Sequence, residues 1–251
     1  MRYLYKYGRF NEHSEALFSR SQVWFSASSD LNDPFECRPW YTFEGKAEQI
    51  VESARKMLLN QSEDLTPDMA SAEAVALFLE SRHRSSERQE QTREVAARRL
   101  AKVGLFCLSE VRDSILMWSH YAQDHFGYCL EFAAEDHEYM FGAAQPVSYC
   151  DDYPVVEFYN TPIDRQVQLI FLTKYRGWAY EREWRVIDTK GGSGLHSYPP
   201  ILLTGVIFGL RMPESQRKHI RSWVKNRGHA VRFYECTQDD RRFAIEIRRI
   251  E

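Results

Sequence analysis

The sequence lacks the patterns by which several protein classes are identified. No apolar run approaches the roughly 20 residues that a membrane-spanning helix needs, and no charged segment followed by an apolar one opens the chain. The five cysteines form no CxxC pair, which argues against a zinc site or a disulfide framework. We interpret them as small buried apolar residues and expect a soluble, cytoplasmic protein without a membrane partner.

Neither sign of charge dominates, and the familiar nucleotide and hydrolase motifs are missing. The 33 basic and 36 acidic residues nearly cancel, which argues against a general nucleic-acid-coating protein. Nucleic acid as a local substrate stays open. The sequence contains no GxGxxG, Walker A, HExxH or GxSxG motif. Function must therefore be sought in individual polar clusters.

Aromatic residues are the compositional excess. The chain has 6 Trp, 14 Tyr and 15 Phe, and aromatic faces can stack on bases or on a nicotinamide ring. An aromatic-rich core would explain the same numbers, and both interpretations stay open.

Hydrophobic periodicity predicts an α+β fold. Helical spacing occurs at residues 11–20, 47–60, 70–80, 85–102, 161–180 and 213–227. Strand-like runs occur at residues 1–10, 22–26, 103–109, 128–132, 145–150, 180–187, 201–210, 230–236 and 243–247. We predict a mixed or antiparallel sheet of about eight strands in a single domain, residues 1–251, with a helical insertion at about 46–102.

The stretch at residues 117–132 has the highest density of polar chemistry. Its candidate residues are Trp118, Ser119, His120, Tyr121 and His125. A helical turn there would be followed by a strand, an arrangement that suits the lip of a pocket. The two histidines are five residues apart, which is not the spacing of a helical metal pair, so we expect hydrogen-bonding histidines.

Two further polar clusters lie far away along the chain. Asn32 and Asp33 precede a proline in an Asx-type turn. Glu181, Glu183 and Arg185 alternate along a predicted strand, so they would share one face. Since Trp178, Tyr180 and Trp184 occupy the other phase, we expect the glutamates on the open face, which is either exposed to solvent or part of a cleft. Two neighbouring carboxylates repel and raise one pKa, and Arg185 would offset this effect.

These motifs together resemble the uncharacterised bacterial family DUF2971. The resemblance is carried by Tyr5-Lys6-Tyr7, Asn32-Asp33-Pro34-Phe35-Glu36, Phe106-Cys107-Leu108-Ser109, Met117-Trp118-Ser119-His120-Tyr121-Ala122, His125-Phe126-Gly127-Tyr128-Cys129-Leu130-Glu131-Phe132 and Tyr180-Glu181-Arg182-Glu183-Trp184-Arg185. It implies a single cytoplasmic domain and no particular reaction.

The chain also resembles the ADP-ribosyltransferase fold. In that fold a basic residue on the first strand, a strand ending in serine and a late Glu-x-Glu follow in this order. The matching positions are Lys6 or Arg2, then Ser109, then Glu181 and Glu183. The resemblance implies NAD as substrate. Glu183 would hold the nicotinamide-ribose hydroxyl and stabilise the oxocarbenium-like transition state, and Glu181 would orient the acceptor.

The site that follows from this resemblance combines catalytic and NAD-binding positions. His120 joins the two glutamates and Ser109 as catalytic candidates, and Trp118 or Tyr121 would stack on nicotinamide. The cofactor-binding candidates are Lys6, Tyr5, Trp118, Ser119, Tyr121, His125, Asn32, Asp33 and Arg185.

Three hypotheses about function stay open. The first is an NAD-dependent ADP-ribosyltransferase-like enzyme or NAD glycohydrolase, with a toxin or anti-phage defence role and an unknown nucleotide or macromolecular acceptor. The second is a metal-dependent hydrolase or nuclease that uses Asp33, Glu36, His120 and His125. The third is a non-catalytic module that binds a nucleotide or a partner. All three assume that the polar clusters share one recess.

Overall fold

A computed structural model describes residues 2–62, 64–81, 85–135, 140–225 and 227–250. The chain divides into two compact units. Unit 1 contains residues 1–34, 102–150 and 174–251, and unit 2 contains residues 35–101 and 151–173. The single-domain organisation stays a prediction, and the two units are described separately.

The described elements alternate between strands and helices along the chain. The strands are β1 (Tyr3–Gly8), β2 (Gln22–Phe25), β3 (Trp40–Thr42), β4 (Gly104–Ser109), β5 (Tyr128–Ala133), β6 (Gln145–Pro146), β7 (Ser148–Cys150), β8 (Val155–Glu157), β9 (Thr173–Tyr175), β10 (Glu183–Asp188), β11 (Gly194–Ser197), β12 (Leu203–Phe208), β13 (Arg232–Gln238) and β14 (Ile245–Arg249). The α-helices are α1 (Ser14–Arg20), α2 (Ala47–Gln61), α3 (Pro67–Ser81), α4 (Ser85–Leu100), α5 (Ile115–Tyr121), α6 (Ile163–Phe171) and α7 (Glu214–Lys225).

Unit 1 is built on an eight-stranded sheet with the order β14-β13-β12-β5-β1-β4-β10-β6. β12 and β13 run parallel, with α7 between them in the chain, and the other described ladders of this sheet are antiparallel. The central strands β4, β5 and β12 are buried along most of their length, as expected where both faces of a sheet are covered. The predicted α+β class and mixed sheet are confirmed.

Each face of this sheet has its own hydrophobic core. Leu4 packs with Phe18 of α1 and Ile220 of α7 in the larger core. The next residue on β1, Tyr5, packs in the other core with Trp118 of α5. Because successive side chains of a strand point to opposite faces, α5 lies on the face opposite α1 and α7.

Unit 2 is mainly helical, with a short parallel pair formed by β3 and β8. The regions predicted as helices at 47–60, 70–80 and 85–102 correspond to α2, α3 and α4. The rings of Tyr41, Phe43, Phe158 and Tyr159 pack together with centroid distances of 5.3–6.3 Å.

The structure contradicts the second half of one predicted helix. The helix expected at 161–180 ends at Phe171 and is followed by β9 and a 3-10 turn at Arg176–Glu181. β9 pairs with β7 in a two-stranded sheet. The β-branched and aromatic residues of Thr173-Lys174-Tyr175 suit a strand, and this pairing overrides the apparent helical period.

Candidate functional site

A polar row crosses unit 1 on the face of the sheet that carries α5. Glu131 of β5 lies opposite Tyr5 of β1, Tyr5 lies opposite Ser109 of β4, and Ser109 lies opposite Glu183 of β10. Residues directly opposite each other in a ladder project to the same face. Lys6 therefore projects to the other face, where its Nζ lies 4.9 Å from the ring centroid of Phe106. The predicted grouping of Lys6 with Glu183 is wrong for this reason.

Two carboxylates at one end of the row share a lysine. The Nζ of Lys174 donates to Oε2 of Glu181 at 2.5 Å and to Oε2 of Glu183 at 3.1 Å. Arg185 makes a two-pronged contact with Glu183, with both nitrogen–oxygen distances at 2.8 Å. The Tyr121 hydroxyl donates to Oε1 of Glu181 at 2.5 Å. The four charged residues are at most 5% exposed, so two buried anions face two buried cations.

The surroundings move the two carboxyl pKa values in opposite directions. Burial alone would raise the pKa of Glu183, but Arg185 and Lys174 outweigh burial and hold it at about 2. Burial raises the pKa of Glu181, and its hydrogen bonds from Lys174 and Tyr121 do not fully compensate. Carboxylates separated in this way can take different parts in acid–base chemistry. Glu183 is therefore the more acidic of the two carboxyl groups and Glu181 the more basic.

Backbone geometry brings the two glutamates together. Glu181 ends the 3-10 turn and Glu183 begins β10, with Arg182 between them in the left-handed region at φ 44°. Of the two alternatives for the face that carries the glutamates, exposure to solvent is wrong, because Lys174 on β9 and Tyr121 on α5 cover them. Trp184 is half-buried instead and its Nε1 donates to Glu110.

Aromatic and polar side chains surround this carboxylate pair. The Nε1 of Trp178 donates to Oδ2 of Asp33 at 2.7 Å, and Nδ1 of His120 lies 3.0 Å from the Tyr180 hydroxyl. The rings of His120, Trp178 and Tyr180 lie with centroids 6.0–6.3 Å apart. Asn32 hydrogen-bonds the Tyr121 side chain. Representatives of all three predicted polar clusters thus meet at one place in unit 1.

Other predicted site residues have structural partners. Trp118 is completely buried; its ring packs edge-on against Tyr7 at 5.3 Å, and its Nε1 donates to the Arg112 carbonyl. A buried ring has no free face for nicotinamide, which overturns the stacking role expected for Trp118. Ser109 Oγ donates to the backbone carbonyl of Glu181 at 2.5 Å, so it supports the turn and not a ligand.

Two more predicted residues, Ser119 and His125, form a pair of their own. Ser119 Oγ lies 3.2 Å from Nε2 of His125 and donates to the Ile115 carbonyl at 2.9 Å. Tyr5 likewise points its hydroxyl at another carboxylate, Oε2 of Glu131, at 3.4 Å. These residues lie in unit 1 but outside the group around Glu181.

Two residues that contact the glutamates, Lys174 and Tyr149, were not predicted as site residues from the sequence. Lys174 falls within the helix predicted at 161–180, although its neighbours in Thr-Lys-Tyr are typical of a strand. The hydroxyl of Tyr149 accepts the backbone N–H of Glu183 at 2.8 Å, and an isolated tyrosine on a short strand gives no sequence signal for such a contact.

Within the part of the chain that the structure describes, no three His, Cys, Asp or Glu side chains lie close enough together to hold a metal ion. Of the four residues proposed for a metal-dependent hydrolase, Asp33 contacts Trp178 and His120 contacts Tyr180. Glu36 belongs to unit 2.

Comparison with known proteins confirms the resemblance to DUF2971 over part of the chain. Residues 117–186 match a family model described as "Protein of unknown function (DUF2971)". No curated protein and no solved structure matches the chain. Among the described helices, none has the length and apolar character required to cross a membrane.

Proposed function

Because the family that matches residues 117–186, DUF2971, has no known function, we propose from the site alone that the chain is an NAD-dependent ADP-ribosyltransferase-like enzyme or an NAD glycohydrolase. The observation that supports this proposal is that Lys174 contacts both Glu181 and Glu183, and that the pKa values of these two residues are shifted in opposite directions. Transfer of a glycosyl group to an acceptor can use this combination of a fixed anion, which opposes the developing positive charge, and a more basic carboxylate, which accepts the proton of the acceptor.

The proposed roles follow from the hydrogen bonds that each carboxylate already makes. Glu183 accepts two bonds from Arg185 and one from Lys174, so its lone pairs are largely used. Each oxygen of Glu181 accepts one described bond and keeps acceptor capacity. We therefore assign substrate contact to Glu181 and long-range stabilisation of positive charge to Glu183.

In the proposed reaction the bond between ribose C1′ and the nicotinamide nitrogen breaks, and nicotinamide leaves as a neutral molecule with the bonding electrons. The acceptor, a hydroxyl group or water, forms the new bond to C1′, and its proton passes to Glu181. Burial favours this proton transfer, because it raises the pKa of Glu181. Glu183 opposes the positive charge that develops on the ribose.

The aromatic side chains beside the carboxylates would bind the flat rings of NAD. His120 is exposed, and Trp178 and Tyr180 are half-buried, so parts of these rings are accessible. Aromatic stacking with offset or edge-on geometry contributes roughly 0.5–1.5 kcal/mol for a pair. In this proposal Trp178 and Tyr180 take the stacking role first expected for Trp118 or Tyr121.

The test measures nicotinamide release from NAD, with water and with candidate protein or nucleic-acid acceptors. Glu181→Gln should lower the rate by about 100-fold or more, the scale typical for loss of a general base. Glu12→Gln, a change at a carboxylate that is 80% exposed, should leave it unchanged. Circular dichroism must show that both variants fold. Wild-type protein that releases no nicotinamide with any acceptor would refute the proposal.

Two further measurements separate this proposal from the other two hypotheses. Thermal stabilisation by NAD without any turnover would favour a binding module. Release of nicotinamide that persists in excess chelator would exclude a required divalent ion.

A further inference from the structure

A recess lies in unit 1, and its lining does not include the paired glutamates. It is lined by Ile115 at the start of α5, by His125, by Leu210 and Arg211, and by the turn 238–245 between β13 and β14. The predicted residues Ser119 and His125 belong to this side of α5, since the Ser119 hydroxyl bonds both His125 and the Ile115 carbonyl. The function proposed above uses none of these side chains.

The recess presents positive charge that lacks a neutralising partner. Arg211 and Arg241 are exposed. The Arg211 guanidinium lies 5.8 Å from the ring centroid of Phe126, and among the described residues neither arginine forms an ion pair with a carboxylate. Of the acidic residues in the wall, Asp239 is already held by the side chain of Arg242 and by two backbone N–H groups. Asp240 is the remaining negative charge, so the two free guanidinium groups outnumber it.

His125 adds an unused polar atom to this wall. Its Nε2 faces Ser119, but its buried Nδ1 has no hydrogen-bond partner among the described atoms. A buried polar atom without a partner costs roughly 1–3 kcal/mol. Because the Ser119 hydroxyl donates to the Ile115 carbonyl, Nε2 carries the ring proton and Nδ1 is a hydrogen-bond acceptor. Burial lowers the pKa of His125, and the nearby Arg211 lowers it further against the opposing effect of Asp124.

The backbone that places His125 is strained. Gln123, Asp124 and His125 all have left-handed φ angles, of 51°, 51° and 70°. For residues other than glycine this conformation costs roughly 1–2 kcal/mol each, and such outliers cluster at ligand sites. Backbone bonds from Gly209 to Gly127 and from Arg211 to His125 hold the loop in place.

We propose that this recess binds the phosphoryl oxyanion of a small molecule through Arg211 and Arg241. The guanidinium fork matches the geometry of phosphate and carboxylate oxygens. Two free guanidinium groups in one recess favour a multiply charged anion such as a diphosphate. The apolar side chains of Ile115, Leu210 and Phe243 would contact an uncharged part of the ligand.

Isothermal titration with inorganic pyrophosphate, ADP and succinate tests the proposal. Pyrophosphate and ADP should bind wild type saturably, and succinate, with its carboxylates, should bind at least tenfold more weakly. The double variant Arg211→Gln/Arg241→Gln should weaken pyrophosphate binding at least tenfold. Arg9→Gln/Arg20→Gln, which removes the same charge from exposed positions outside the recess, should bind as wild type does.

The Glu183→Gln variant distinguishes this recess from the proposed NAD site. It should retain pyrophosphate binding, and the His125 ring signals in NMR spectra should shift on binding in both proteins. The proposal is overturned if no probe binds wild type, if both arginine double variants lose binding equally, or if only Glu183→Gln loses it. Tighter binding of succinate than of pyrophosphate would overturn the phosphoryl assignment.

Discussion

Lys174 shares its ammonium group between two buried carboxylates, at 2.5 Å from Glu181 and 3.1 Å from Glu183. We expect Lys174→Met to lower the free energy of unfolding by about 3–5 kcal/mol, because removing one partner leaves an uncompensated buried charge. Urea unfolding measures this loss. Lys190→Met, at an exposed position, should stay within about 0.5 kcal/mol of wild type.

A double variant checks the cause of that loss. Lys174→Met/Glu181→Gln removes a cation and an anion together, so it should be less destabilised than Lys174→Met alone. If the two variants unfold at the same urea concentration, the ion pair is not what stabilises this part of unit 1.

The opposite pKa shifts of the glutamates predict opposite pH dependences of stability. The pKa of Glu183 is lowered to about 2, so its stabilising contribution is present above its usual pKa of about 4.5 and is lost as the pH falls towards 2. The pKa of Glu181 is raised, so the folded state favours its protonated form and loses stability as the pH rises through and above 4.5.

Urea unfolding between pH 2.5 and 7 would measure both effects. The stability of wild type relative to Glu183→Gln should increase with pH, by a total on the order of 3 kcal/mol. The stability of wild type relative to Glu181→Gln should decrease over the same pH range. Two differences with the same slope would show that the carboxylates are not in distinct surroundings.

At the scale of elements, the turn after α5 is the most strained segment described. Gln123→Gly should raise the free energy of unfolding by up to about 1 kcal/mol, because glycine adopts the left-handed conformation without a steric penalty. Gln216→Gly in α7, where φ is helical, should lower it by up to about 1 kcal/mol. Thermal unfolding of both variants is the measurement, and destabilisation by Gln123→Gly would show that its side chain matters more than its backbone.

The elements also show what the sequence could and could not predict. Alternating residues located β1 and β5, and continuous apolar runs located β4 and β12, because both patterns are typical of strands. The convergence of Asp33, Tyr121 and Glu181 was only a hypothesis, because it depends on long-range pairing of β1, β4 and β10. Lys174 was missed since β9 depends on its partner strand β7 and not on local periodicity.

The role of Trp118 shows the same limit for a single residue. The sequence placed it beside polar residues on a short helix, and that neighbourhood suggested a pocket lip. Which face of α5 turns inward depends on the sheet beneath it, and Tyr7 of β1 provides the contact. Local spacing could therefore identify the helix but could not decide between core and site.

At the scale of the whole molecule, the first strand has a central place that its position in the chain does not reveal. β1 lies between β5 and β4 in the sheet, and its Leu4 and Tyr5 enter the two different cores. β14, by contrast, is an edge strand that pairs only with β13 among the described strands. Removal of similar lengths of chain at the two termini should therefore have very different effects.

We expect deletion of residues 1–10 to abolish cooperative thermal unfolding, because it removes two ladders and side chains from both cores, each worth roughly 2–5 kcal/mol when truncated. Deletion of residues 243–251 should leave a cooperative transition at a lower temperature, since it removes one ladder at the edge. Circular dichroism during heating measures both. A cooperative transition in the chain that lacks residues 1–10, within a few degrees of wild type, would contradict the placement of β1 and with it the row that joins Glu131 to Glu183.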